Sequence, residues 1–376
     1  MVASSTLKTQ EQYMQRAIEL ALMAEGRTSP NPLVGAVIVR DGAVVGEGYH
    51  HRAGEPHAEV NALRAAGELA KGATIYVTLE PCCHHGRTGP CCEALIAAGI
   101  TEVIAATADP NPQVAGQGLA WLRSAGIKVE TGLLEAAARD INQPFFKRIQ
   151  TGLPYVILKT AMTLDGKIAA ASGDARWVTG ETSRRLVHQM RNRYDGVMVG
   201  ANTVIKDDPQ LNVRLEQVGT RNPVRVVVDG ALDIPLTAQV VVTAKDQPTL
   251  ILTAENPNQD KAERLTAQGV ELIKLKGEAD DLDLTQGLSQ LANRGISSLL
   301  VEGGSGLNWS LIQAGLVDYW YAFIAMKVIG GANAPTPVGG SGFALMNDAL
   351  AMSVKKSQLV GEDLLVEGWL GEPRRW

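Results

Sequence analysis

All four cysteines of this 376-residue chain fall within twelve positions, "PCCHHGRTGPCC" (81–92), as Cys82, Cys83, Cys91 and Cys92. Thiols serving as inert core residues would be scattered through apolar segments. Thiols crowded beside histidine, glycine and arginine point instead to disulfides, a redox pair or a metal, and each constrains the chain differently. No C-x-x-C is present, which disfavours a thioredoxin-like pair. The opening "MVASSTLKTQEQYMQRAIELA" lacks a basic stretch followed by an apolar one, and no apolar run nears the ~18 residues of a membrane span. A cytoplasmic location is therefore expected, where thiols stay reduced, and that favours the metal over the disulfide.

The loop acquires chemical meaning beside "HAE", His57-Ala58-Glu59. A histidine, a glutamate two residues on, then Pro-Cys and a second cysteine is the arrangement of zinc nucleobase deaminases, where His and two Cys hold the ion and Glu moves protons without ligating it. Three protein ligands leave the fourth tetrahedral position open, as a catalytic site requires. Cys82 follows Pro81 after the apolar run "TIYVTLE", and Cys91 follows Pro90 at the first turn of an expected helix, where the dipole favours thiolate. His57, Cys82 and Cys91 are the expected ligands and Glu59 the proton carrier. Cys83 with Cys92 is a rival register of identical spacing. A structural zinc site with His84 or His85 as fourth ligand is the blander alternative, although it has no use for Glu59.

The length is too great for one ordinary core and suggests two domains. Hydrophobic residues make up 45% of the chain, charged residues 20%, and the net charge is −5, so no broad cationic surface invites nucleic acid or anionic lipid. Four Phe and seven Tyr leave few stacking platforms for single strands. An expected helix ends near Gly26, "VGAVIV" and "AVVGEGY" read as a hairpin about Asp41-Gly42, and helices from His57 and Pro90 alternate with strands at 73–80, 101–109 and 127–132. "NQPFFKRIQTGLPYV" (142–156), with two prolines and a glycine, is the expected boundary, giving domains 1–148 and 149–376. Beyond it, strands are expected in "YVILKTAMT", "DGVMVG", "NPVRVVVDG", "PTLILTA", "GVELIKL" and "ISSLLVEGG", a second α/β domain.

That second half has no G-x-G-x-x-G after its first strand. Instead "ISSLLVEGGSGLNWSLIQAG" reads strand, glycine-rich turn, helix, where Gly303, Gly304 and Gly306 let backbone N–H groups approach a phosphate. Lys159 and Asp165 are acid–base candidates, although Asp165-Gly166 is also an ordinary turn. His188 reads as a helix residue.

Taken together, "TSPNPLVGAVIV", "GEGYHHRAGEPHAEVNAL", "LEPCCHHGRTGPCCEALI", "LKTAMTLDGKIA", "RWVTG", "RNRYDGVMVGANTVIKDDPQLNVR" and "LLVEGGSGLNWSLI" closely resemble the bifunctional riboflavin-biosynthesis deaminase–reductases over essentially the whole chain. The resemblance implies a cytidine-deaminase-like three-layer αβα domain followed by a dihydrofolate-reductase-like α/β domain. It implies zinc-dependent deamination of 2,5-diamino-6-(5-phosphoribosylamino)pyrimidin-4(3H)-one, one Zn²⁺ per deaminase domain, then NADPH-dependent reduction of the ribosyl side chain to ribityl. Carried over by position, it makes His57, Cys82 and Cys91 the zinc ligands and Glu59 the catalytic group. Asn31 would contact substrate, although between Pro30 and Pro32 it is equally a turn residue. In the second half the resemblance assigns Ala175, Arg191, Leu211, Arg214 and Glu302 to substrate, with Arg191 and Arg214 as candidates for its phosphate. It assigns Ala161, Trp177, Thr203, Asp207, Gly304, Ser305, Gly306, Leu307, Asn308, Trp309 and Ser310 to NADPH. Gly89 stands where relatives often carry proline, and Ala175 where some carry serine. The expected partner is a small phosphoribosylated pyrimidine substrate, with no nucleic acid and no membrane, and the chain is expected to form a homo-oligomer. A nucleic-acid-editing deaminase and a non-catalytic zinc module are the other function classes; the acidic charge and Glu59 argue against them in turn.

Overall fold

The computed structural model describes residues 2–84, 89–111, 114–216, 219–373 and 376, with side chains from residue 9 onward. The chain divides into two compact units, Met1–Gly152 with Arg375–Trp376, and Leu153–Arg374.

The first unit runs α1 (Val2–Leu22), β1 (Gly35–Arg40), β2 (Ala43–Tyr49), α2 (Ala58–Ala66), β3 (Thr74–Val77), α3 (Cys91–Ala97), β4 (Glu102–Ala105), α4 (Gln117–Ser124), β5 (Lys128–Thr131), α5 (Glu135–Ile141) and α6 (Gln143–Thr151). Its five strands lie in the order β2-β1-β3-β4-β5, with β1 antiparallel to β2 and β3 and the rest parallel. The strands are apolar on both faces because both are covered. Val37, Val39, Tyr76 and Ile104 pack with Met14, Ala17 and Ile18 of α1 and Ala138 of α5. Their neighbours Ala36, Ile38, Ile75, Val77 and Val103 pack on the other face with Ala58 and Ala62 of α2, Leu95 of α3 and Leu122 of α4. This is the three-layer arrangement the resemblance implies.

The second unit runs β6 (Tyr155–Thr163), α7 (Glu181–Arg193), β7 (Gly196–Gly200), α8 (Ala201–Asp207), β8 (Val224–Val228), α9 (Gln239–Val242), β9 (Thr249–Ala254), α10 (Gln259–Ala267), β10 (Glu271–Leu275), the short β11 (Gly277–Glu278) and β12 (Asp281–Leu282), α11 (Leu284–Asn293), β13 (Ser298–Val301), α12 (Ser305–Gln313), β14 (Tyr319–Ala325), β15 (Met352–Val360) and β16 (Asp363–Leu370). Nine strands form one sheet, ordered β10-β9-β8-β7-β13-β6-β14-β16-β15. It is parallel from β10 to β14 and antiparallel at β16 and β15. One face packs Leu158, Met198, Leu252 and Val301 with α11 and α12; the other packs Val197, Val199, Val227 and Ile251 with α8, α9 and α10.

Two segments differ from the sequence expectation. The units divide after Gly152, inside the expected boundary stretch 142–156, but residues 143–151 of that stretch form a helix, because Pro144 sits in its first turn, where a missing N–H is harmless, and Gly152 ends it in a left-handed conformation (φ 72°). The sequence reading assigns no strand beyond residue 304, yet β14, β15 and β16 complete the sheet. β15 is the outermost strand and is largely exposed, so "SVKKSQ" carries a solvated pattern that hides its extended backbone. No helix among the described residues is long and apolar enough to cross a membrane.

Close packing of β2 on α2 sets where the first unit's chemistry begins. A Cβ built on Gly48 would stand 2.3 Å from the Ala62 nitrogen and 2.6 Å from the Ala58 carbonyl. Backbone cannot yield as a side chain can, so Gly48→Ala should destabilise the first unit by about 1–3 kcal/mol. Chemical denaturation measures this; an unchanged midpoint would mean α2 can slide without cost.

Candidate metal centre and ligand cleft

His57 is the residue from which α2 springs, in extended conformation (φ −73°, ψ 166°), and Glu59 is the second residue of that helix. Cys82 lies in the segment after β3, and Cys91 opens α3 behind Pro90. These elements bring His57, Cys82 and Cys91 together: one donor atom from each lies within 4.8 Å of the others. His57 Nδ1 is 3.3 Å from Cys91 Sγ and 3.5 Å from Cys82 Sγ. Two thiolates and an imidazole on a tetrahedral zinc, with bonds of about 2.3 and 2.0–2.1 Å, stand about 3.5 Å apart from sulfur to nitrogen. The donor set fits such an ion. Cys82 is already disposed to ionise: hydrogen bonds from the Cys91 thiol, His57 and the Cys91 backbone N–H (3.3 Å) hold it down at about 4 against the penalty of burial. The Cys91 thiol is held up by that same shared proton and by burial.

The neighbouring cysteines turn away. Cys92 is sealed in the core, its thiol facing the carbonyls of Pro81 (3.4 Å) and Gly118 (3.6 Å), and burial pushes it up to about 12. Cys83 packs half-buried against the same core. His84 is exposed and outside the cluster, and His85 lies outside the described residues. Glu59 is 3% exposed, and burial first, then the Cys82 thiolate, pushes its carboxyl up to about 7.

Asn31 is the turn residue expected between Pro30 and Pro32, and its side chain has a partner of its own. Its N–H closes a turn on the Thr28 carbonyl (2.8 Å), and its side-chain Nδ2 donates to His50 Nε2 (3.1 Å). His50 is a residue that sequence reasoning misses. Its Nδ1 faces the Pro56 carbonyl (3.2 Å), its ring stands edge-on to His57 at 5.3 Å, and burial lowers its pKa, so it is neutral and links Asn31 to the cluster. Two other missed residues fix the surroundings. Asn142 clamps both backbone groups of Leu33 at 2.8 Å. Glu80, 4% exposed, accepts from the N–H groups of Asp109, Gly116, Gly118 and Leu119 at 2.9–3.3 Å, tying the 109–119 segment to the start of the cysteine loop. No motif spacing marks these two, because their partners are backbone.

The second unit holds a cleft of about 1450 Å³. It opens at the carboxyl ends of β6, β7, β8 and β13, where the strand order reverses and α/β sheets bind ligands. Single-ligand sites run to roughly 300–1,000 Å³, so this one has room for two molecules side by side. Parallel pairing sets Val301 against Leu158 and against Met198. The next residues along β6 and out of β13, Lys159 and Glu302, therefore share a face, and Lys159 Nζ lies 3.4 Å from Glu302 Oε2. Arg191 of α7 meets the same carboxylate with Nε and Nη2 (2.5 and 2.9 Å) and the Asn212 carbonyl with Nη1 (3.1 Å). Burial alone would raise Glu302, but Arg191 and then Lys159 hold it at about 2.

Every residue that the resemblance assigns to this half lines the cleft: Ala161, Ala175, Trp177, Arg191, Thr203, Asp207, Leu211, Arg214, Glu302 and the run from Gly304 to Ser310. They do so in different ways. Trp177 is 60% exposed, with the Arg184 guanidinium 4.5 Å from its ring centre, so it is no core residue. Leu211 has φ 53° and lines the cleft although it is buried and packs in the core. Arg191 spends its fork on Glu302 and Asn212, whereas the Arg214 guanidinium has one side-chain partner among the described residues, Asn212 Oδ1 (3.1 Å). Asn308 gives Nδ2 to the Pro337 carbonyl (2.7 Å), and Trp309 packs edge-on to Phe343. Gly303 (φ 126°) and Gly304 (φ 84°) adopt conformations that favour glycine, and a Cβ at Gly303 or Gly306 would meet nothing within 4 Å. That open space beside the first N–H groups of the nine-residue α12 fits the phosphates of a dinucleotide. His188 also faces the cleft, accepting the Arg214 N–H at Nδ1 (3.2 Å); burial, then Arg191 and Arg214, lower it to about 4. Asp165 stays outside: its carboxylate accepts from Thr163 and from the N–H groups of Ile329 and Gly330, a turn-holding role.

Comparison with known proteins agrees with both halves. Residues 7–107 match the family described as the cytidine and deoxycytidylate deaminase zinc-binding region, and residues 154–366 match the RibD C-terminal domain. The chain is 47% identical over 355 residues to the riboflavin biosynthesis protein RibD of Actinobacillus pleuropneumoniae, covering 94% of each, and 43% identical over 365 residues to that of Escherichia coli, covering 94% of this chain and 97% of the relative. Among solved structures it resembles Acinetobacter baumannii RibD (TM-score 0.88, 38% identity, 98% of this chain and 100% of that one). It also resembles a diaminohydroxyphosphoribosylaminopyrimidine deaminase/5-amino-6-(5-phosphoribosylamino)uracil reductase from Thermotoga maritima (TM-score 0.84, 36% identity, 97% and 99%).

Two outcomes are expected from this geometry. Cys82→Ser or Cys91→Ser should strip most divalent metal from the purified protein and Cys83→Ser should not; metal loss confined to Cys83→Ser would reverse the register. For Glu302, a carboxyl held at about 2 against an ordinary 4.5 lends stability that is complete above about pH 4.5 and lost as pH falls towards 2. The denaturation midpoint should therefore fall more steeply from pH 5 to pH 3 in the native protein than in Glu302→Gln.

Proposed function

The chain belongs to the RibD family, and from that premise we infer how its two units share the work. It is a bifunctional enzyme of riboflavin biosynthesis, a zinc-dependent pyrimidine deaminase joined to an NADPH-dependent reductase. The observation that carries the deaminase reading is the convergence of His57 Nδ1, Cys82 Sγ and Cys91 Sγ beside a buried glutamate.

His57, Cys82 and Cys91 would hold the zinc. When bound there, the ion supplies Lewis acidity that makes water a nucleophile near neutral pH. Glu59 takes the water proton at its carboxylate and returns protons to the departing ammonia. A carboxyl near 7 is suited to both directions of transfer. Asn31, steadied by His50, offers its amide to the pyrimidine edge. Glu59→Gln should retain zinc and lose roughly 10²–10⁴-fold in ammonia release from 2,5-diamino-6-(5-phosphoribosylamino)pyrimidin-4(3H)-one. Loss of zinc together with activity would make Glu59 a structural residue instead.

In the second unit, NADPH when bound would supply a hydride, which together with a proton reduces the ribosyl side chain to ribityl. The turn at Gly303–Gly306 and the start of α12 would receive its phosphates, with Ala161, Trp177, Thr203 and Asp207 along its length. Glu302, locked between Arg191 and Lys159, would face the ribosyl group. Arg214 and the Leu211 N–H, which has no acceptor among the described residues, would receive the substrate phosphate. NADPH oxidation should depend on the deaminated product, with weak or no use of NADH; a preference for NADH would overturn the cofactor assignment. A homo-oligomer is proposed from the outermost strand β15, where Val354 and Leu359 stand exposed. A cytoplasmic location is proposed because the four free thiols suit a reducing compartment.

A further inference from the structure

Arg225, the second residue of β8, is the bulkiest of the side chains sealed from solvent in the described chain. No carboxylate bonds to it among the described residues, and burial lowers its pKa to about 10 with only Asp246 favouring the cation. Burying a charge is expensive, and an apolar residue of similar volume is often as stable or more so. What Arg225 does with its fork is therefore informative. Nη1 donates to Thr243 Oγ1 (2.7 Å) and, more weakly, to the Gln210 carbonyl (3.4 Å); Nη2 donates to the carbonyls of Thr243 (3.0 Å) and Gln247 (2.6 Å). Gln247, 5% exposed, continues the chain of bonds, its Nε2 donating to the carbonyls of Leu211 (3.2 Å) and Pro223 (2.8 Å). A third grip comes from the Gln239 N–H on Asp208 Oδ1 (2.7 Å). Gln239, Arg225 and Gln247 thus hold the loop 208–211 at Asp208, Gln210 and Leu211 in turn.

That loop needs holding. Asp208 (φ 42°) and Leu211 (φ 53°) are both left-handed without being glycine, a conformation that persists only where the surroundings over-determine it. With the Leu211 side chain in the core and its carbonyl on Gln247, its N–H is the group without a partner among the described residues.

We propose that Arg225 and Gln247 are positioning residues that hold Asp208–Arg214 in the shape that receives the phosphomonoester of the reductase substrate. The proposal rests on the reading above that Leu211 and Arg214 meet that phosphate. The test compares Arg225→Met, Gln247→Leu and Arg214→Ala in the full-length zinc-loaded enzyme, with the phosphorylated aminouracil substrate and its dephosphorylated form. Both clamp variants should raise KM for the phosphorylated substrate roughly 10- to 100-fold, as expected for a displaced binding group, and narrow its advantage over the dephosphorylated form. KM for NADPH and ammonia release by the first unit should stay within about twofold. Gln247→Leu introduces no uncompensated charge and carries the test if Arg225→Met fails to fold. Equal rises in KM for NADPH and for substrate, or no rise while Arg214→Ala weakens substrate binding, would overturn the clamp alone. No effect from any of the three would overturn the phosphate reading beneath it.

Discussion

The parallel register of β6 and β13, Leu158 against Val301, places Lys159 beside Glu302 at the carboxyl edge of a sheet whose two faces are already covered by helices. Once that pairing is set, little freedom remains. A lone buried carboxylate there would take up a proton, but two cations keep it ionised. Arg191 reaches it from the last turn of α7, so the strand pairing also fixes how α7 lies over the sheet. Because Arg191 also grips the Asn212 carbonyl, the same carboxylate governs the loop that carries Leu211 and Arg214. The cleft is consequently a rigid cup of paired charges with its few exposed donors at the rim. Such preorganisation suits a reaction that must orient a sugar and a nicotinamide without moving the scaffold.

Much of this was legible in the sequence where chemistry depends on side chains that are close along the chain. His57 and Glu59 share one helix start, Cys82 and Cys91 sit either side of one loop, and Gly303–Gly306 form one turn. The residues that escaped notice work through backbone at long range. Glu80 binds N–H groups about thirty to forty residues away, Asn142 binds Leu33 across 109 residues, and Arg225 reaches carbonyls in two separate segments. Any carboxylate, amide or guanidinium in a strand pattern looks alike until the fold brings its partners. The segment 142–156 shows the same limit: its proline and glycine mark the two ends of a helix, and the break between the units follows directly after that glycine.

Both units hold their reactive groups by clamping carbonyls and N–H groups of loops that secondary structure leaves unpaired. In the first, Glu80 fastens the 109–119 segment against the cysteine loop, and Cys92 reinforces it by facing the carbonyls of Pro81 and Gly118. In the second, Arg225 and Gln247 fasten 208–211. An acceptor-only carboxylate gathers N–H donors, and a donor-only guanidinium gathers carbonyls, so the polarity of each clamp matches the backbone groups it must satisfy.

The doubled cysteines follow from the same economy of geometry. Each Pro-Cys-Cys step has its approach restricted by proline, and at the second step Cys91 opens a helix, so consecutive side chains diverge by about 100°. One thiol must then face His57 while its neighbour faces the core, where a small sulfur packs as an apolar residue would. Shifting the register by one residue would bury Cys82 and Cys91 in that core and leave Cys83 and Cys92 to meet an imidazole anchored to α2. The helix cannot follow such a shift, because Gly48 of β2 already touches its backbone. Packing between β2 and α2, remote from sulfur, thereby fixes the helix start from which His57 faces Cys82 and Cys91.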